Sequence, residues 1–189
     1  MINNIRCSIR TLLLDRAGVA AMEFALIAPI LVVLFFGVVE SADALARSRQ
    51  VTLAANTLAD LAAQESEIQT SDLDDLFDGV EQIMETGGAP ANVTLVSVGV
   101  DADGDPIVLW SRNNSGAAPY ARGAAYAGLP ATVLIDDGAS IIVSEIDYNY
   151  TSKLTQKFVK TIPFERMATR WPRRSIRIRL CSSAGSCQS

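Results

Sequence analysis

DRAGVAAMEFALIAPILVVLFFGVVE, residues 15–40, decides the reading of this chain. A short basic leader runs into Arg16, Ala17 and Gly18, and an apolar run of 21 residues follows from Val19 to Val39. At 1.5 Å per residue such a helix is roughly 31 Å long, enough to cross a bilayer. One carboxylate, Glu23, interrupts the run at its fifth position, counting Val19 as the first. A charge at the bilayer centre costs roughly 2.5–3.5 kcal/mol on insertion scales, so Glu23 calls for a reason. Pro29 would be poorly placed in a soluble helix, but a membrane helix tolerates it.

Gly18 followed by Val-Ala-Ala-Met-Glu-Phe-Ala-Leu, with Pro29 beyond, resembles the processing site of type IV pilins, and most closely the TadE-like pseudopilins of tight-adherence (Flp) pilus systems. The resemblance is sharpest over about residues 15–62. It implies that a prepilin peptidase cuts between Gly18 and Val19. It also implies that Glu23 pairs with the new α-amino group of Val19 on a neighbouring subunit. Snorkelling to the interface and ion binding are the other readings of Glu23. The related TadG-like proteins carry an Asp-x-Ser-x-Ser string in larger heads, and no such string occurs here.

Working outward, Arg6, Arg10 and Arg16 face a single acid, Asp15, in the leader. Positive charge beside a membrane segment stays cytoplasmic, which puts the chain after Glu40 in the periplasm. Residues 40–64 lack Pro and Gly and are rich in Ala and Leu. The expectation is one continuous helix over residues 19–64, part membrane anchor and part stem. Three divisions follow: a leader at 1–18, the helix and stem at 19–64, and a periplasmic α+β head at 65–189.

The head begins with a polar turn at 65–71. Ser71 then precedes an amphipathic helix with Asp72, Asp74 and Asp75 in its first turn, where they oppose the helix dipole. Leu73, Leu76, Phe77, Val80, Ile83 and Met84 fall on one face, and Gly87 and Gly88 stop it. Beyond Pro90 the pattern turns strand-like. Residues 93–100 and 107–111 read as a hairpin across an Asp-, Gly- and Pro-bearing tip. A second pair is expected at 132–135 and 140–150, with a Gly-, Ala- and Asn-rich loop at 113–130 before it. Residues 175–181 alternate Ile176, Ile178 and Leu180 with Arg177 and Arg179, a strand with one wet face. The pattern of residues 151–173 fits either a short amphipathic helix or an irregular return. The fold class is therefore α+β, with a mainly antiparallel sheet of four or five strands.

The chain has 189 residues and a net charge of −5, unevenly placed. Twelve acids and no base lie in residues 60–105, and nine bases with one acid, Glu165, in residues 153–179. The basic cluster Arg166, Arg170, Arg173, Arg174, Arg177 and Arg179 suits a solvated face, docking on the acidic helix, or anionic lipid head groups. Nucleic acid is a poor fit, since the compartment is wrong and aromatic interleaving is thin.

There is no histidine, which excludes histidine-based triads, dyads and metal sites. Asp101, Asp103 and Asp105 open like a calcium loop, but Pro106 and Arg112 stand where the glycine and the bidentate glutamate belong. A charged hairpin tip is the better reading, and no metal or other cofactor is expected. Cys7 leaves with the leader. Cys181 and Cys187 bracket a short Ser- and Gly-bearing loop that suits a disulfide in an oxidising compartment.

The expected function is non-enzymatic: a minor pseudopilin in the inner membrane, whose partners are other pilins, platform proteins and the prepilin peptidase. The rival is an exported soluble binding domain released by signal peptidase near Ala44–Ala46, where small residues have A-x-A spacing. Against it, the apolar run exceeds the usual 7–15 residues of a signal peptide, and Glu23 is left without purpose.

Overall fold

A computed structural model describes residues 16–84, 91–130, 132–152, 161–182 and 185–188. The leader before Arg16, the Gly87–Gly88 stop and Lys153, Lys157 and Lys160 lie outside the described residues. The chain divides into two compact units, one ending at Asp43 and one comprising Ala44–Ser189. Helix α1 (Arg16–Ala63) is continuous through Pro29 and belongs to both.

Among the described residues of the first unit, the helix has no packed core. Phe24, Leu26 and Val33 expose 67%, 70% and 71% of their surface. In the second unit the same helix buries Val51, Ala54, Ala55, Leu58, Ala59 and Ala62. These positions recur at the three- and four-residue spacing that makes one helix face. Four of the six are alanines, so the helix axis can lie close to what it covers. The helix ends without a glycine. Gln64 and Glu65 make tight turns back to Leu61 and Ala62, and the amide of Arg173 donates to the carbonyl of Ala63 at 2.8 Å. A tertiary contact thus satisfies a terminal carbonyl that has no partner within the helix.

Strand β1 (Glu67–Gln69) occupies part of the expected polar turn and leads into α2 (Thr70–Met84). Ser71 lies inside this helix rather than before it. Asp72 reaches back to accept from the amide of Gln69 at 3.4 Å, the return half of a capping box. Leu73, Phe77, Val80 and Met84 are buried. Leu76 packs only partly against the core and Ile83 is exposed, so the apolar stripe is narrower than its sequence pattern.

The main sheet comprises β2 (Asn92–Val100), β3 (Pro106–Asn113), β4 (Ile141–Tyr150) and β5 (Ile162–Arg170), antiparallel throughout, in the order β3-β2-β4-β5. Helices α1 and α2 share a core with one face of it, through Val93, Leu95, Ile142, Ile146 and Trp110. On the other face Val96, Val98, Val108, Ile141 and Val143 form a second core. Tyr126, Tyr120, Leu129, Val133 and Ile135 of the long β3–β4 connection pack against it. The β2–β3 register shifts between Ser97 and Val98: Ser97 lies opposite Trp110 and Val98 opposite Val108. The extra residue, Leu109, lets Val108 serve the second core and Trp110 the first.

Two expected strands differ. Residues 132–135 form no strand, because both edges of β4 are already taken, by β2 and β5. Val133 and Ile135 serve as packing for the second core instead. Of residues 175–181 only β6 (Arg179–Cys181) is a strand. Ser175 bonds locally to the carbonyl of Arg177 at 2.7 Å, and the carbonyl of Ile178 accepts from the Trp110 indole at 2.8 Å. Ile176 is 72% exposed, against the expected alternation. Strand β6 pairs in parallel with β1 and antiparallel with β7 (Cys187–Gln188), forming a small separate sheet. Residues 162–170, left between two readings by their pattern, form strand β5 at the edge of the main sheet.

Candidate membrane anchor and functional surfaces

Gly18, Val19 and Glu23 all lie on the exposed part of α1. Glu23 sits four residues beyond Val19, hence one turn along the same face. The run that follows carries Ile30, Val33, Phe36 and Val38 in the open. In lipid every polar group must find an internal partner. Near the end of the run, the Ser41 hydroxyl donates to the carbonyl of Gly37 at 2.8 Å. The helix is long and apolar enough to cross a membrane, with a mean hydropathy of 2.5 over its best window, none of it buried.

Three members of the basic cluster, Arg166, Arg170 and Arg173, dock on α1 rather than on the acidic helix. Arg166 donates to Ser48 at 2.8 Å and to Thr52 at 3.2 Å. Arg170 donates to Asn56 at 2.8 Å, and Arg173 pairs with Asp60. Ser48, Thr52, Asn56 and Asp60 are four apart and form a polar row along one side of the helix. Arg179 pairs with Glu67, and Arg177 donates to the carbonyl of Gly138 at 2.7 Å. The ion pair onto α2 comes from a different base, Arg112, which reaches Asp74 at 3.0 Å. Arg166, Arg170 and Arg173 thus hold β5 and the following turn against the helix, while Arg177 and Arg179 bond elsewhere in the α+β unit.

The aspartate-rich tip is a turn. One oxygen of Asp101 accepts from the amides of Asp103 and Asp105, each at 2.9 Å, and Gly104 adopts φ +87°. Cys181 and Cys187 are opposite each other on β6 and β7 with their sulfurs 2.08 Å apart. Glu67 lies beside them, but bonded sulfurs offer no thiolate to a metal.

A group that motif reasoning did not reach lies on the sheet face away from the helices. Glu145 accepts from the hydroxyl of Tyr120 at 2.8 Å and from that of Tyr126. Burial, then the hydrogen bond to Glu145, pushes Tyr120 up to about 12, and the same causes push Tyr126 higher. Asp147 lies directly opposite Glu165 across β4 and β5. Burial first, then the charges of Glu165 and Glu145, raises the Asp147 carboxyl above its ordinary range. Tyr120, Glu145, Asp147 and Glu165 line an open cleft of about 420 Å³ with Met167 and Arg166. The signal was available in β4, where Glu145 and Asp147 alternate with Ile146 and Tyr148.

The geometry defines a class: among the described residues, one helix near the N-terminus long and apolar enough to span a membrane and an α+β unit after it, which fits a membrane-anchored protein. Residues 18–60 match the family model described as TadE-like protein. The match falls wholly within α1 and is consistent with a TadE-like protein, a family that suggests a pilus-associated component. Neither a curated protein nor a solved structure matches the chain.

Proposed function

We propose that the chain is a minor pseudopilin of a tight-adherence pilus. It is a structural and assembly component anchored in the inner membrane by α1, with its α+β unit in the periplasm. A prepilin peptidase cuts between Gly18 and Val19, and the mature helix associates with other pilins and the assembly platform. The protein performs no catalysis. The observation that carries this reading is Glu23, a carboxylate on a bare apolar helix, placed five residues after Gly18 within a TadE-like match. An uncompensated charge in lipid is expensive, and a cationic α-amino group on a neighbouring chain compensates it.

Intact mass and N-terminal sequencing of the membrane-extracted protein test the reading. A mature start at Val19 is expected, abolished by a bulky replacement of Gly18. A start at Leu45 or Arg47 overturns it and gives the chain to signal peptidase cleavage near Ala44–Ala46, as an exported binding domain.

A further inference from the structure

The two edges of the main sheet are treated differently. Strand β3 is closed by the chain's own loop: Val108 bonds in both directions with residues 123 and 124, Tyr126 donates to Pro106, and Asn113 donates to Ala117, at 2.7–2.9 Å. Strand β5, at the opposite edge, has no such cover among the described residues. Among the described residues no backbone group outside β4 bonds to it. In an antiparallel pair alternate residues turn their N–H and C=O groups away from the partner strand. Nine residues of β5 are paired to β4, so about half of their backbone groups face outward. Two carbonyls, those of Glu165 and Thr169, accept from the side chains of Arg166 and Arg170 at 2.8 Å. Those guanidinium groups are held by α1 through Ser48, Thr52 and Asn56.

An uncovered edge is a template for another strand, and charges beside it decide which strand is admitted. The cleft beside this edge is lined by Glu165 on β5 itself and by Asp147 and Glu145 behind it on β4, three acids against the one base, Arg166, that also borders it. On the helix-side face stand Arg166 and Arg170. We propose that β5 is a docking edge for an extended segment of a partner protein, one that bears lysine or arginine on the face that meets Glu165 and apolar or acidic residues on the face that meets Arg166 and Arg170. Two copies of this chain paired at this edge would bring two acidic clefts together, which is unfavourable. The inference rests on the sheet alone and stands or falls independently of the processing at Gly18.

The test uses the full chain in detergent micelles and a fluorescent nine-residue peptide alternating lysine with valine. Two further forms carry N-methyl groups, one on every lysine and one on every valine. Strand addition uses the amides of only one alternate set. One methylated form should therefore bind at least tenfold more weakly, while the other binds like the parent. A glutamate-for-lysine peptide should not bind. Glu165→Lys should weaken the parent peptide at least tenfold, with hydrogen exchange of β2 and β4 unchanged. Equal binding by both methylated peptides would reduce the site to a charged surface and overturn the proposal, as would no binding at millimolar peptide or unchanged affinity of Glu165→Lys. Protection of β5 amides that rises with chain concentration alone, without peptide, would assign the edge to a second copy and overturn it too. The peptide comparison does not depend on any variant folding.

Discussion

The hydroxyl of Ser144, in the middle of β4, donates to the backbone carbonyl of Ala55, in the C-terminal part of α1, at 2.7 Å. Both residues are buried, and Ala54 and Ala59 flank the contact. A hydroxyl reaches a helix carbonyl from a sheet only where the intervening side chains are small. The alanine face is therefore a fitted surface, and α1 is held in place by packing and by this bond together. Ala55→Leu should overpack it and destabilise the α+β unit by about 1–3 kcal/mol. Ser144→Ala should cost only about 1 kcal/mol, since the carbonyl of Ala55 keeps its helical partner. Urea denaturation followed by the fluorescence of Trp110 and Trp171 checks both, and equal costs would contradict the close-approach argument.

The Asp147 carboxyl, raised in the folded chain, makes stability depend on pH in a definite direction. Between the unfolded value of about 3.9 and the higher native value, the native state binds more protons than the unfolded chain. The stability tied to protonated Asp147 is thus fully present below the unfolded value and is lost as pH rises through the native one. Asp147→Asn should flatten that decline, leaving the variant at least as stable as the parent at neutral pH and without advantage in acid. Denaturation midpoints across this range give the answer.

Tyr120, pushed up to about 12, should ionise later than a free tyrosine when followed by phenolate absorbance. Because its neutral form is favoured in the fold, the associated stability is present below about 10 and lost as pH rises through the native value. Glu145→Gln removes the charge and weakens the hydrogen bond, so the ionisation should move toward its ordinary value without reaching it, burial being the larger cause. No movement would mean that burial acts alone.

The helices were legible because their signals are local. Apolar length marked α1, and acidic first-turn residues with a three-and-four spacing marked α2. The hairpin β2–β3 was legible from its tip. What escaped the pattern depends on partners distant in the chain. Whether residues 132–135 form a strand is decided by β5 already occupying the edge of β4. The few residues of β1 became a strand because Arg179, Leu180 and Cys181 arrive beside them. Likewise, the arginine cluster was visible as charge, but the target of Arg166, Arg170 and Arg173 was the row of Ser48, Thr52, Asn56 and Asp60, where three of the four carry no charge. Gly18, Val19 and Glu23 were found by spacing, which the fold neither adds to nor removes.

Arg170 and Asn56 offer a measurable test of how the edge strand is held. Their hydrogen bond is part-buried, and Arg173 and Asp60 continue the contact at the surface. A double-mutant cycle on Arg170→Ala and Asn56→Ala should give a coupling of about 1 kcal/mol. The same cycle on Arg173 and Asp60 should give less than about 1 kcal/mol, falling further in high salt, because exposed ion pairs are screened.

Cys181 and Cys187 enclose few residues, so their bond constrains the unfolded chain only modestly. Reduction or a double Cys→Ser change should cost about 2 kcal/mol, at the low end for disulfides. The loss should fall on β6, β7 and β1 first. Thiol alkylation with and without reductant, on protein taken from cells, determines whether the bond is present; two free thiols in the absence of reductant would exclude it.

Glu23 separates assembly from folding. It lies on the unit of α1 that has no packed core, whereas the α+β unit begins at Ala44. Glu23→Ala should therefore leave the protease resistance and denaturation of the α+β unit unchanged, and membrane insertion should be equal or slightly easier because a costly charge is gone. Association with neighbouring pilins should fall, since the α-amino group that the carboxylate would meet is left in lipid without a counter-charge. Glu23→Gln keeps the shape and a hydrogen bond but not the charge, and should fall between the two. Crosslinking in intact membranes, read beside proteolysis of the α+β unit, distinguishes these effects. Full crosslinking in the alanine variant would mean that Glu23 reaches the membrane interface by itself and that assembly draws its specificity from elsewhere on the helix.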